Sequence, residues 1–176
     1  MKHILFACSI FLLCNPGIRA QNAETANPLD RISFMLGEWQ GTGFMLTQSG
    51  KIYTDVWENV ECKVGCTVLA IDGLGTMTDS VTQETIVIHD AFGVIFYDTD
   101  AQAIKMRAYK KEGLAASVIE FPEEKIFRWG LDVPNGGKVR FTADFSTENK
   151  WIETGEFSRD GETWMQFLGM DLDKVE

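Results

Sequence analysis

The chain has 176 residues, 45% of them hydrophobic, 24% charged and 11% aromatic, with four prolines and 16 glycines. That length suits one domain with a sizeable core, and the composition excludes a disordered, collagen-like or low-complexity chain. The net charge is −10 at pH 7, and after the first twenty residues no apolar run approaches the roughly 18 residues that span a bilayer.

Residues 1–20 read as a secretory signal. Lys2 and His3 are polar, Ile4 to Leu13 is apolar apart from Ser9, Asn15-Pro16-Gly17 ends the stretch, and Ile18-Arg19-Ala20 precedes a polar start at Gln21. Cleavage is expected after Ala20, with export to the periplasm or beyond. A lipid anchor at Cys8 or Cys14 is the competing reading, but Cys8 leaves too short an apolar region and Leu13 is too large to precede a modified cysteine. Cleavage removes Lys2 and Arg19 and no acid, so the mature charge is −12. Such an acidic surface repels phosphate backbones and anionic lipid, which sets nucleic acid aside as a partner.

Two cysteines remain after cleavage, Cys62 and Cys66, with Lys63-Val64-Gly65 between them. In an oxidising compartment the pair is expected to form a disulfide across a tight turn, contributing about 2 kcal/mol by loop entropy. Zinc would need a second Cys/His pair, which the mature chain lacks.

Residues 21–27 form a polar leader, and 28–176 read as one domain without repeats or linkers. Asn27-Pro28 supplies a helix cap and a first-turn proline, and Leu29, Ile32, Phe34, Met35 and Leu36 follow at roughly helical spacing until Gly37. After this short helix the period becomes two, with turn residues every eight to twelve positions. Strands are expected near 37–47, 51–60, 66–75, 83–97, 102–110, 114–121, 125–133, 138–147, 150–158 and 163–172. The fourth is long enough for two strands or one with a bulge, since Gly93 interrupts it. Gln48-Ser49-Gly50, Pro134-Asn135-Gly136-Gly137 and Arg159-Asp160-Gly161-Glu162 are hairpin turns. An antiparallel meander of this length must close into a barrel or fold into two packed sheets.

Val139, Phe141, Ala143 and Phe145 share one face of their strand, opposite Arg140, Thr142 and Asp144. By contrast, Phe92, Val94 and Phe96 lie opposite Ala91, Gly93 and Ile95, so this strand is apolar on both faces, and 164–172 behaves similarly. An apolar lumen and an outer cover, the helix or a second subunit, follow from that pattern.

The candidate site residues are Trp39, Glu58, His89, Arg107, Trp129 and Glu153. Glu58, Arg107, Arg128 and Glu153 sit on apolar or mixed strand faces, where an inward charge must be paired or meet a polar ligand group. The alternative is that these charges face solvent or pair across strands. His89, the one histidine left after cleavage, is either a rim or interior residue of a strand, a haem ligand, or a general base beside Asp90 or Glu58. Trp39 and Trp129 are core or lumen-lining aromatics. No Gly-x-Ser-x-Gly elbow supports a hydrolase, and neither Gly41-Thr42-Gly43 nor Gly73-Leu74-Gly75 precedes a helix, as a phosphate loop requires.

The opening Met35-Leu36-Gly37-Glu38-Trp39-Gln40-Gly41-Thr42-Gly43 resembles that of nitrobindin-like and related bacterial lipocalin-like proteins of the calycin superfamily. Glu58, His89-Asp90-Ala91 before Tyr97-Asp98, and Trp151-x-Glu153-x-Gly155-Glu156-x-Ser158-x-Asp160-Gly161-x-x-Trp164 resemble an exported bacterial family of uncharacterised function in that group. The likeness runs over residues 29–173. It implies an all-β, ten-stranded antiparallel up-and-down barrel with one short N-terminal helix and a lumen for a small hydrophobic or amphipathic ligand. Nitrobindins hold haem through a histidine in a C-terminal strand; here no histidine follows His89, and no cofactor is expected. The functional expectation is therefore a ligand-binding barrel without catalysis. A dimerising interaction module, and an enzyme using His89 with a nearby carboxylate, stand as alternatives.

Overall fold

The structure, a computed structural model, describes residues 26–111, 113–134 and 136–175. The signal and most of the leader read from the sequence lie outside these residues. Among the described residues no helix is long and apolar enough to cross a membrane.

A 3₁₀ helix over Pro28–Met35 opens the domain, with Asn27 accepting a hydrogen bond from the Leu29 amide at 3.1 Å. Its buried residues are Leu29, Ile32 and Met35. That spacing of three matches the 3₁₀ repeat, in which positions i and i+3 eclipse. Asn27 also donates through Nδ2 to the Cys66 carbonyl at 2.8 Å, tying the helix start to the cysteine turn.

Eleven strands follow: β1 (Gly37–Thr47), β2 (Gly50–Lys63), β3 (Val68–Thr78), β4 (Thr85–Asp98), β5 (Ala103–Lys110), β6 (Gly113–Val118), β7 (Glu120–Glu123), β8 (Ile126–Asp132), β9 (Lys138–Asp144), β10 (Lys150–Ser158) and β11 (Met165–Val175). They form one antiparallel sheet in the order β6-β5-β4-β3-β2-β1-β11-β10-β9-β8-β7. Every neighbour is a sequence neighbour except β1 and β11, whose pairing, Glu38 opposite Val175 through Met45 opposite Leu168, joins the two ends of the meander. The sheet is a nearly closed barrel, and the expected architecture holds.

Two details differ from the sequence expectation. The strand expected over 114–121 divides at Ile119. Its first half, β6, pairs with β5, and its second half, β7, pairs with β8. Ile119 itself donates to the Ile104 carbonyl at 2.9 Å, and the Gly130 amide donates to Ser117 Oγ at 3.0 Å, so this interrupted strand carries the closure of the wall. Counted as one, it gives the ten strands expected. The second difference is in β4, which is a single strand whose register shift lies opposite Gly75/Thr76 and not at Gly93. Gly93 keeps its place in the ladder because Ile71 and Ala108 pair with it normally.

Cys62 and Cys66 are disulfide-bonded, with Cα atoms 4.5 Å apart. Val64, Gly65 and Cys66 all have positive φ, of 51°, 63° and 62°. Only Gly65 adopts this conformation without steric cost, so the crosslink holds a turn that its side chains oppose.

Register fixes which side chains share the inner face. Trp39 stands opposite Glu58, Glu58 opposite Gly73 and Gly73 opposite Ala91. Trp151 stands opposite Leu172, Glu153 opposite Met170 and Ala143, and Phe141 opposite Trp129. The core occupies the helix end of the barrel, where Leu29, Ile32, Met35, Trp39, Val60, Leu69, Ile95, Phe127, Phe145, Trp151 and Leu172 pack together. Trp39, Phe145 and Trp151 form a mutual aromatic cluster with centroids 5.0 to 5.9 Å apart, and the Trp39 indole donates to the Met35 carbonyl at 2.8 Å. The short helix and these rings seal one end.

Candidate functional site

Toward the other end the same inward rows change character. Along β2, Val60 is buried but Glu58, Val56 and Thr54 keep partial contact with solvent. Along β8 and β9 the buried pair Phe127 and Ala143 gives way to the half-buried pair Trp129 and Phe141, and along β11 the buried Leu172 gives way to Met170 and Leu168. Inward side chains that water still reaches mean an interior that is packed at its base and accessible above it. The barrel is a cup.

Small residues shape that upper space. A Cβ at Gly73 would stand 2.7 Å from the Glu58 carboxylate, and one at Gly155 would meet Phe141 at 2.9 Å and Leu168 at 3.0 Å. Glycine at these two positions thus allows Glu58 and Phe141 to lie flat over the wall. Phe141 stacks on Trp129 with centroids 4.1 Å apart and planes 16° from parallel, giving one side of the cup an aromatic panel.

The polar content is uneven. Glu58 and Glu153 point inward, and among the described residues neither forms an ion pair; the ion pairs Lys105–Asp98, Arg140–Glu156 and Lys150 with Asp171 and Asp173 all lie on the outer face. Glu153 accepts one long hydrogen bond from the Trp151 indole, at 3.3 Å. Burial raises its carboxyl to about 7, the indole contact opposing the rise. Burial also pushes Glu58 well above the ordinary carboxylate range, helped by the negative charges of Glu153 and Asp72.

The remaining candidates fall in three places. His89, opposite Gly75 on the inward row of β4, is exposed. Trp39 is 2% exposed in the sealed base, below the accessible region. Arg107 is not brought into the cup: it lies between the inward Met106 and Ala108, faces outward, and sits 5.7 Å from the Phe96 ring. Arg128 also faces outward, donating to Thr142 Oγ1 at 3.2 Å. Among the described residues no group of three or more His, Cys, Asp or Glu side chains is placed to hold a metal ion.

Sequence reasoning did not select Phe141 or Gly73. Phe141 was legible as part of an apolar period-two face, whereas the role of Gly73 depends on its cross-strand partner, which no local pattern gives. The outer wall offers two open hollows, one near Gln40, Trp57 and Leu74 and one between the helix and Phe121. Both are surface depressions, and in the first the Trp57 indole is already bonded to Glu38 at 2.9 Å.

Neither the known family models nor the curated proteins contain a match to this sequence. Among solved structures, the fold is similar to the crystal structure of Rv2717c from M. tuberculosis, with a TM-score of 0.58 over 84% of this chain and 97% of that one, at 11% identity. At that identity the likeness concerns the fold alone, a nearly closed antiparallel barrel.

Proposed function

We propose that this chain is an exported binding protein that holds a small hydrophobic or amphipathic molecule in its lumen and performs no chemistry on it. The observation carrying this reading is the change along the inward rows from a sealed aromatic base to half-buried Val56, Trp129, Phe141, Leu168 and Met170. Apolar walls with a few convergent polar groups are what small-molecule sites use. His89 is exposed, which gives an acid–base pair built on it no water-excluded setting. Export accords with the disulfide, which persists in oxidising compartments.

Native mass spectrometry of the purified protein, followed by titration with C12 probes, tests the reading. A retained small molecule, or saturable binding at one site per chain that quenches tryptophan emission, is expected. No copurified mass and no saturable binding of any C12 probe would overturn it.

A second reading has one observation of its own. Phe92, Tyr109 and Leu114 stand directly opposite one another across β4, β5 and β6 on the outer wall, 42%, 45% and 57% exposed. This row suits a second copy of the chain as its cover. Sedimentation at micromolar concentration would show a dimer that Tyr109→Glu dissociates; a monomer for the unaltered chain would end that reading.

A further inference from the structure

Among the described residues, the carboxyl groups on the inward rows above the base have no basic side chain paired with them. Between the sealed base and the mouth, the inward rows among the described residues carry Glu58 and Glu153 and no lysine or arginine; His89 of β4 and Lys110 of β5 stand on these rows at exposed positions, and Lys174 lies at the base, 5.3 Å from the Trp39 ring. The Glu58 carboxylate lies over Gly73 on the inward face, half-buried, and forms no ion pair among the described residues. Glu153 has only the long indole contact. Half-buried carboxylates with no cation beside them are stabilised by a bound group that brings hydrogen-bond donors or positive charge.

The wall beside them points to the same chemistry. The Trp129–Phe141 stack offers π faces, which attract cations, and Val56, Met170 and Leu168 are half-buried apolar side chains on the same inward face. A carboxylate head group entering here would add negative charge beside two acidic side chains.

We propose that the lumen selects an amine: a ligand whose protonated nitrogen donates to Glu58 and Glu153 and whose apolar body lies along Trp129 and Phe141. This rests on the lumen being a binding site, and it assigns the charge of the ligand head.

Calorimetric titration at pH 7.5 with dodecylamine, dodecanol and dodecanoate, all below their aggregation concentrations, separates the two claims. Dodecylamine is expected to bind about tenfold or more tighter than dodecanol, the worth of a charge-assisted hydrogen bond, with dodecanoate weakest. In Glu58→Gln/Glu153→Gln, which keeps shape and removes both charges, the amine preference should disappear while dodecanol affinity is retained. Equal or tighter binding of dodecanol or dodecanoate would overturn the amine assignment and leave the lumen as a site. An amine preference that survives in the double variant would place the cation on the acidic outer surface and also overturn it. Failure of all three probes to bind would remove the binding site itself.

Discussion

Glu153 shows what one residue costs this barrel. Its carboxyl sits near 7 in the folded protein against an ordinary 4.5. Between those values the folded chain keeps a proton that the unfolded chain has released, so stability is highest below about pH 4.5 and falls as pH rises toward 7. The loss is bounded at about 3 kcal/mol by the size of the shift. Glu153→Gln should remove most of this slope and raise stability at pH 8, as read by urea denaturation from pH 4.5 to 8. An unchanged slope in the variant would mean that the charge is not desolvated as described. Glu58, shifted in the same direction, adds to the same trend. Both carboxylates were legible in the sequence because each interrupts an apolar period-two row. Arg107 was selected on a mixed row, with Lys105 and Tyr109 beside it, and faces outward. Alternation says which residues share a face but not which face is inside, and β4 and β5 carry apolar residues on both.

At the level of elements, spacing was informative wherever a turn or period was local. The helix was legible from Asn27-Pro28 and the apolar residues after it, and its 3₁₀ form is visible in the spacing of Leu29, Ile32 and Met35. The division of the sixth strand was not legible: Ala115 to Ile119 has no glycine, proline or charge that marks the break, which comes from partners on two sides competing for one segment. The cysteine turn was legible as a ring, and its left-handed backbone gives it a further role. Breaking the crosslink frees Val64 and Cys66 to leave a conformation that costs about 1 to 2 kcal/mol per residue. That relief offsets part of the loop-entropy loss, so Cys62→Ala/Cys66→Ala should lower stability by at most about 2 kcal/mol and the melting temperature by no more than roughly 4–8 °C. It should also weaken the Asn27 contact that anchors the helix over the base. Calorimetry checks the first effect, and faster amide exchange in residues 28–35 checks the second.

For the whole molecule, a meander of ten strands left two outcomes open, a barrel or two stacked sheets, and hydrophobic pattern alone does not choose between them. The choice is made by the pairing of β1 with β11, a contact between the ends of the domain that only long-range geometry supplies. The same closure turns dispersed inward residues into a cup, which is why the acidic interior could not be read as one site from residues 58 and 153 separately. The seam at Ile119 deserves a last consideration. Because β6 and β7 terminate opposite ends of the sheet yet are joined by that single residue, the chain leaves no long unpaired strand for another copy to stack on. A specific protease site inserted between Val118 and Glu120, once cut, would release two such strands together. The nicked protein should then form thioflavin-positive fibres at concentrations where the intact one stays clear, whereas a nicked protein that remains soluble would show that side-chain packing, not backbone continuity, guards against assembly.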